Sequence, residues 1–508
     1  MSRILQDEST REIGATQVGR TAARVFVSCV LLALLAVSAL EWSASLPTSL
    51  SVWSGDWNTG SLWERNRALQ TTMHAFEDRL REEAWLTRTL TPPLQRFKVR
   101  HLRLGTERVL IGRDGWLHFQ PDVEHLTGRG LLRNHARIVT AVRDFADHLE
   151  ARGIALVLMP VPVKTGSTGD TLRSGVPASH PLQPVAWTNL RDALEREGLT
   201  IFAPTTSYLR ADTHWTFDAM DDAARELAEM LRVRFELPPP SVRFDRDPRV
   251  VEGVGDLARM LGDGWPPSMD ARETQRIAMV RDGDHAWRSA TEAPVLLLGD
   301  SFSNIFSQDA LGWGEGAGLA EQLSFHLGWS VDRIVRNDAG AWATRDVLAR
   351  ELARGRDRLA GKRVVVWQFA AREFSQGDWR TIPLESGAAG EPLFLAPPRE
   401  PVEWRGVVAA VSAVPVPRRV PYADHIASFH LVDVDGPGAA PGASAYVFSW
   451  SMTNHHRTAA GRARVGDAVH VRVRPWEAVS EALEGFNRSE LDGDEFMQAD
   501  IAWGEWLP

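Results

Sequence analysis

Pro294-Val-Leu-Leu-Leu-Gly-Asp-Ser-Phe-Ser-Asn304 is the stretch that decides the fold. Val295 to Leu298 form a short unbroken apolar run, which suits a parallel strand buried on both faces rather than a surface strand that alternates apolar and polar residues. The run stops at Gly299-Asp300-Ser301, where glycine can take backbone angles denied to other residues. A serine just past the carboxyl end of such a strand lies where open α/β sheets place their ligands. A serine nucleophile needs a base, and a base needs a carboxylate to orient it. Asp212-Thr-His-Trp215, with its histidine 87 residues upstream of Ser301, is the best source of both.

Working outward, the chain of 508 residues is long enough for two or three domains with substantial cores. A formal net charge of −9 and the absence of any basic tract argue against a nucleic-acid partner. Twenty tryptophans are enough to line cores and still leave some to stack on sugar rings. The single cysteine, Cys29, has no intrachain disulfide partner and lies in a hydrophobic segment. No His-Glu-x-x-His motif, cysteine cluster, Walker motif or Gly-x-Gly-x-x-Gly is present, so neither a metal nor another cofactor is expected. His455-His456 reads as a surface pair.

Residues 1–24 are polar and read as a cytoplasmic tail. Residues 25–42 are almost wholly apolar, near the lower length limit for crossing a bilayer, and read as a transmembrane anchor, with a cleaved signal peptide as the rival. Arginines ahead of the segment orient the rest of the chain outward: single-pass in a bacterial inner membrane with the bulk in the periplasm. Residues 43–95 hold a linker and then an amphipathic helix marked by Leu69, Met73, Phe76 and Leu80. Val109–Phe119 reads as two strands around Gly112-Arg-Asp-Gly115. An α/β alternation follows: a helix marked by Ile138, Val142, Phe145 and Leu149, a strand from Ile154 to Val161, a helix at 190–197 and a brief strand at 200–202. His214 lies in a loop ahead of a helix that Thr216 is placed to cap. Pro238-Pro-Pro240 opens a less regular stretch to about 290 that the pattern does not order. Beyond the serine strand come a helix at 319–327, a strand at 331–335, a helix at 344–359 and a strand at 364–369. This pattern predicts a mostly parallel sheet with helices on both faces over residues 96–385. From 400 to 508 the reading is a small all-β domain, with strands at 402–414, 425–434, 445–452 and 468–473.

A serine hydroxyl becomes nucleophilic when an imidazole takes its proton and a carboxylate holds that imidazole in place. Ser301, His214 and Asp212 supply these parts. Acyl transfer also needs donors for the oxyanion; the Ser301 N–H, Asn337, Gly340 and Ser303 are the candidates for oxyanion or substrate contacts. Asp300 is expected to shape the turn.

Gly299-Asp-Ser-Phe302 resembles the nucleophile block of the SGNH-hydrolase superfamily. Asp212-Thr-His-Trp215, placed before the serine and spaced Asp-x-His, resembles the arrangement of the alginate O-acetyltransferase (AlgJ/AlgX-like) group, as do Gly112-Arg-Asp-Gly-Trp116 and Pro162-Val-Lys164. The resemblance covers roughly residues 62–385. It implies a flavodoxin-like SGNH-hydrolase domain in the periplasm, an O-acetyltransferase that moves acetyl groups onto an exported polysaccharide or cell-surface glycan through an acetyl-serine. It also implies a membrane-bound O-acyltransferase as acetyl supplier and a glycan acceptor as partner; in alginate-type proteins a C-terminal β domain binds polysaccharide. Two further readings remain open here: a periplasmic glycan acetylesterase with the same triad, and a non-catalytic glycan-binding component of a secretion complex.

Overall fold

A computed structural model of the chain describes residues 19–49, 89, 93–172, 182–261, 272–337, 340–353, 355–385, 394–417, 420, 422–483, 485–491, 496 and 499–507. The amphipathic helix expected around Leu69, Met73, Phe76 and Leu80 lies outside them. The chain divides into two units, Met1–Phe97 and Lys98–Pro508. In the first, the stretch read as an anchor falls within a helix, Arg20–Ser49. Among the described residues no helix is long and apolar enough to cross a membrane, which corrects the transmembrane expectation. The uncharged run from Val25 to Leu40 rises only about 24 Å as a helix, short of the roughly 30 Å hydrocarbon core of a bilayer.

In the second unit, five strands form an all-parallel sheet: β1 (Ala155–Val161), β2 (Thr200–Ile201), β3 (Val295–Gly299), β4 (Asp332–Val335) and β5 (Val364–Ala370), in the order β2-β1-β5-β3-β4. The layering is that of a flavodoxin-like domain, but the last strand sits in the middle, whereas flavodoxin itself runs 2-1-3-4-5. β5 pairs with β1 along its whole length and with β3 from Val364 to Trp367. Every residue of β3 and β5 is buried. Their alternate side chains feed two separate apolar layers, one containing Val295, Leu297, Val364 and Val366, the other Leu296, Leu298, Val365 and Trp367. Continuous apolar runs are what a strand covered on both faces requires.

The helix carrying Ile138, Val142, Phe145 and Leu149 spans Arg129–Glu150, and those four side chains are buried in the second layer. The strands Val109–Ile111 and Leu117–Phe119 pair antiparallel around a turn in which Asp114 (φ +51°) and Gly115 (φ +80°) are left-handed, the arrangement that tight two-residue hairpins favour. The stretch the sequence pattern left unordered contains a second antiparallel hairpin, Asp245–Val254 with Arg272–Asp282, extended by His285–Ala286. Its strands are mostly half-exposed and rich in Arg, Asp and Glu, so they carry little of the apolar alternation by which strands are recognised.

Residues 402–506 form a barrel. β6 (Val402–Val411), β7 (His425–Asp435), β8 (Ala445–Thr453), β9 (Ala468–Pro475) and β10 (Ile501–Trp506) pair in the ring β6-β7-β8-β10-β9-β6. Four of these strands match the expected ones. The fifth, β10, closes the ring, and two short helical turns, Trp476–Ala478 and Ser480–Leu483, precede it. Trp404, Val408, Phe429, Leu431, Val447, Val471 and Val473 fill the interior. Closure leaves the main ring without free edges. The barrel is pinned to the parallel-sheet domain by a buried charge cluster. Glu490 accepts from Arg336 (2.5 Å), from Arg350 and from Arg488 (2.9 Å).

Candidate active site

Ser301 lies two residues past the end of β3 and opens a single helical turn, Ser301–Asn304. Asp300 caps that turn: its Oδ1 accepts from the Phe302 N–H (2.9 Å) and from Gln368 Nε2 (2.8 Å), and its Oδ2 accepts from the Ala370 N–H (2.7 Å). The expected turn-shaping role is therefore met, and the turn is braced from the middle strand. Gly299 is not in the left-handed region; it is required by close approach, because a Cβ there would lie 2.3 Å from Ser303 Oγ.

The histidine arrives from the loop ahead of the helix Phe217–Phe235, which Thr216 caps by accepting from the Ala219 N–H. The loop folds back on itself through Leu209 N–H to His214 O and Thr216 N–H to Ser207 O. The Trp215 indole donates to the Phe302 carbonyl (3.0 Å), tying this loop to the serine turn. His214 Nε2 lies 2.8 Å from Ser301 Oγ, and His214 Nδ1 lies 2.6 Å from Asp212 Oδ1. A carboxylate only accepts, so Nδ1 carries the proton and Nε2 is left to receive the one on Ser301. All three sequence candidates, 87 residues apart at the extremes of the Ser–His link, meet in one chain of hydrogen bonds.

Surrounding groups fix the pair. Asp212 Oδ2 accepts from the Trp313 indole (2.9 Å) and from the Asp256 N–H (2.9 Å). Asp256 accepts from the Thr213 N–H (2.8 Å) and the Thr213 hydroxyl (2.6 Å). The buried Lys164 ammonium donates to the carbonyls of Arg210 (2.7 Å) and Asp212 (2.9 Å), and Glu273 accepts from the N–H groups of Arg210 and Ala211. The first hairpin joins in, Leu117 N–H donating to the Arg210 carbonyl (3.0 Å). Arg372, just beyond β5, sits between the rings of Phe119 and Phe302 and bonds Asp122 (3.3 Å).

Burial alone would raise the Asp212 carboxyl, but the charge and hydrogen bond of His214, with the donors on Oδ2, hold it well below the usual carboxylate range. Burial opposes charging His214, and the adjacent Asp212 outweighs it, with Asp256 adding to the effect, so the imidazole is raised. Burial and the neighbouring charge of Asp212 push Asp256 up to about 6, and burial pushes Lys164 down to about 8. Asp212, His214 and Asp256 place potential ligand atoms within 4.8 Å of one another, but both Asp212 oxygens are already accepting N–H donors.

The remaining candidates lie elsewhere in this network. Ser303 Oγ donates to Gln368 Oε1. Asn337 gives its amide hydrogens to Gln308 (3.3 Å) and to the Gly485 carbonyl, and accepts from Asn304 (3.2 Å), so it links the serine turn to the barrel. Gly340 is left-handed (φ +73°), and a Cβ on it would strike Glu373. The Ser301 N–H has no hydrogen-bond partner among the described residues. Sequence reasoning missed Asp256 and Trp313. Gly255, ahead of Asp256, is one available signal, and another is the flanking of Trp313 by Gly312 and Gly314, both left-handed.

The family described as "SGNH hydrolase-like domain, acetyltransferase AlgX" matches residues 109–371, just over half of the chain and all of the parts just described except Arg372, Glu373 and Gly485. The protein belongs to this AlgX-type SGNH hydrolase-like family. Among curated relatives, the probable alginate O-acetylase AlgJ of Pseudomonas fluorescens is 30% identical over 223 residues, 39% of this chain and 54% of that one. The probable alginate O-acetylase AlgJ of Pseudomonas putida is 26% identical over 282 residues, 50% of this chain and 71% of that one. This chain thus spans about half the length of the first of these. Among solved structures, the O-acetyltransferase domain of Pseudomonas putida AlgJ aligns with 22% identity and a TM-score of 0.42 over 53% of this chain and 93% of that one.

Proposed function

We propose that this AlgX-family protein is an O-acetyltransferase acting on an exported polysaccharide or cell-surface glycan. The observation that carries the reading is the bond from Ser301 Oγ to His214 Nε2, continued from Nδ1 to Asp212. In this reading residues 96–385 form the catalytic domain, and the barrel within 400–508 faces the glycan. The Ser301 oxygen attacks the carbonyl carbon of a bound acetyl group while its proton passes to His214 Nε2, and the resulting imidazolium is stabilised by Asp212. The oxyanion forms beside the Ser301 N–H, with the Gly340 N–H as a second donor. Asn337 and Ser303, whose donors are engaged, hold the frame. Collapse returns the His214 proton to the leaving group and leaves acetyl-serine. A sugar hydroxyl then attacks that ester, giving its proton to His214, and Ser301 is regenerated. The related proteins named for alginate acetylation favour a polysaccharide acceptor; in this reading the reaction takes place in the periplasm, with a membrane-bound O-acyltransferase supplying the acetyl group.

Mixing the purified protein with a small acetyl ester and glycan oligomers tests this. Acetylated oligomer is the expected product. Free acetate alone would make the protein an acetylesterase, and undiminished turnover by a Ser301→Ala variant would overturn both enzyme readings.

A further inference from the structure

Asp256 lies outside the Asp-x-His motif, yet it touches each residue of it. Its N–H donates to Asp212 Oδ2 (2.9 Å), and its two carboxylate oxygens accept from the backbone (2.8 Å) and hydroxyl (2.6 Å) of Thr213. Its Oδ2 stands 3.9 Å from His214 Nδ1. A close backbone approach makes this contact: a Cβ on Gly255 would lie 2.0 Å from the Ala211 carbonyl oxygen and 2.7 Å from the Asp212 nitrogen. The clamped Thr213 hydroxyl itself lies 3.2 Å from His214 Nδ1, so the Asp256 carboxylate and the imidazole share one chain of contacts.

We propose that Asp256 is a second carboxylate of the site, a positioning residue that clamps Thr213 and adds negative charge behind the His214 imidazole as it takes the serine proton. The proposal rests on the acyl-serine reading above. Two charges of one sign beside an imidazolium strengthen its hold on a proton. The charged groups facing Asp256 are Asp212 and His214 on the adjoining loop, Lys164 after β1 and Arg372 after β5. Among the described residues neither Lys164 nor Arg372 makes a salt bridge to Asp256, so its charge acts most directly on His214, 3.9 Å away. Since burial and Asp212 push the Asp256 carboxyl up to about 6, its charge is present at neutral pH and is lost in mild acid.

The test uses the full chain with histidine ring carbons labelled for NMR, alongside turnover of a small acetyl ester across pH. Asp256→Asn keeps the shape of the side chain and removes its charge. The expected result is a His214 titration and an acid limb of kcat/KM both displaced to lower pH by about one unit, with KM for the ester little changed. Thr213→Val removes the clamped hydroxyl and leaves the charge; it is expected to lower kcat with the acid limb in place. In the unmutated protein the His214 signal should titrate with two inflections, its own and that of Asp256. A single inflection, or an Asp256→Asn variant that loses turnover without moving either the limb or the His214 midpoint, would overturn the proposal in favour of a packing role. Ester turnover surviving in Ser301→Ala would instead remove the acyl-serine reading and leave the His214 titration to be judged alone.

Discussion

Replacing Asp212 by asparagine exchanges one carboxylate oxygen for an NH2 group, and the surrounding donors determine where that group goes. With the amide oxygen toward His214, the NH2 faces the Trp313 indole N–H and the Asp256 N–H, which donate to Oδ2 at 2.9 Å each. Two buried donors then lose their acceptor, at about 1–3 kcal/mol apiece. With the NH2 toward His214, only the His214 N–H, now 3.0 Å from Oδ1, loses an acceptor. The second orientation leaves one fewer donor unsatisfied and so prevails. It donates to Nδ1, which drives the imidazole proton to Nε2 and leaves nothing to accept the proton of Ser301. A mis-set tautomer of this kind costs on the order of 10⁴ in turnover, or about 5 kcal/mol of transition-state stabilisation. The assay is kcat/KM for a small acetyl ester, with circular dichroism and thermal melting to confirm that the variant folds. A folded Asp212→Asn protein within tenfold of the original would refute the assignment of Asp212 as the group that sets the His214 tautomer.

Gly255→Ala is expected to lower ester turnover at least about tenfold, since a misplacement of roughly 1 Å in a positioned group costs more than that; the new Cβ meets backbone of Ala211 and Asp212, which cannot swing aside. Equal activity in this variant would show that the loop tolerates displacement. Glu490→Gln removes the only carboxylate shared by Arg336, Arg350 and Arg488 among the described residues, and should destabilise the second unit by about 3–5 kcal/mol in denaturant titration, the usual cost of breaking a buried pair. The pH dependence has a definite sign. Burial would raise the Glu490 carboxyl, but the three arginines hold it well below its ordinary value. Its contribution is therefore full above the unfolded carboxylate range near 4.3 and is lost as pH falls through the depressed folded value. The difference in stability between the original protein and Glu490→Gln should shrink in acid and not in base.

The serine strand, the histidine loop and their order in the chain were legible because each rests on local chemistry: an apolar run that only a doubly covered strand explains, a glycine turn, and a loop ahead of a capped helix. Four barrel strands were legible from alternation and spacing. The position of β5 was not, because Val364–Ala370 is equally apolar whether it lies at the edge or in the middle of a sheet. The hairpin Asp245–Val254 with Arg272–Asp282 was hidden by its charge, since half-exposed strands dense in arginine and acid lack a one-sided apolar face. Asp256 was hidden with it. An aspartate at the start of a six-residue helix reads as an ordinary favourable end charge, and nothing local says that it reaches a loop more than forty residues earlier. Asn337 shows the converse: its place after β4 is where an oxyanion donor was expected, but contact with the barrel residue Gly485 claims its amide.

That the middle strand is the last to be synthesised has a temporal consequence. While the ribosome is still extending the chain toward residue 364, β1 and β3 have no neighbour between them, and the Asp300 carboxylate lacks both Gln368 and the Ala370 N–H. The nascent polypeptide must therefore keep a slot open, with apolar surface exposed on either side of it, until a distant segment arrives to fill it. Long-range pairing of this sort slows folding and invites self-association. The same delay means that the turn presenting Ser301 is fully braced only once the whole parallel sheet exists, so a truncated product ending before β5 carries the motif without its supports.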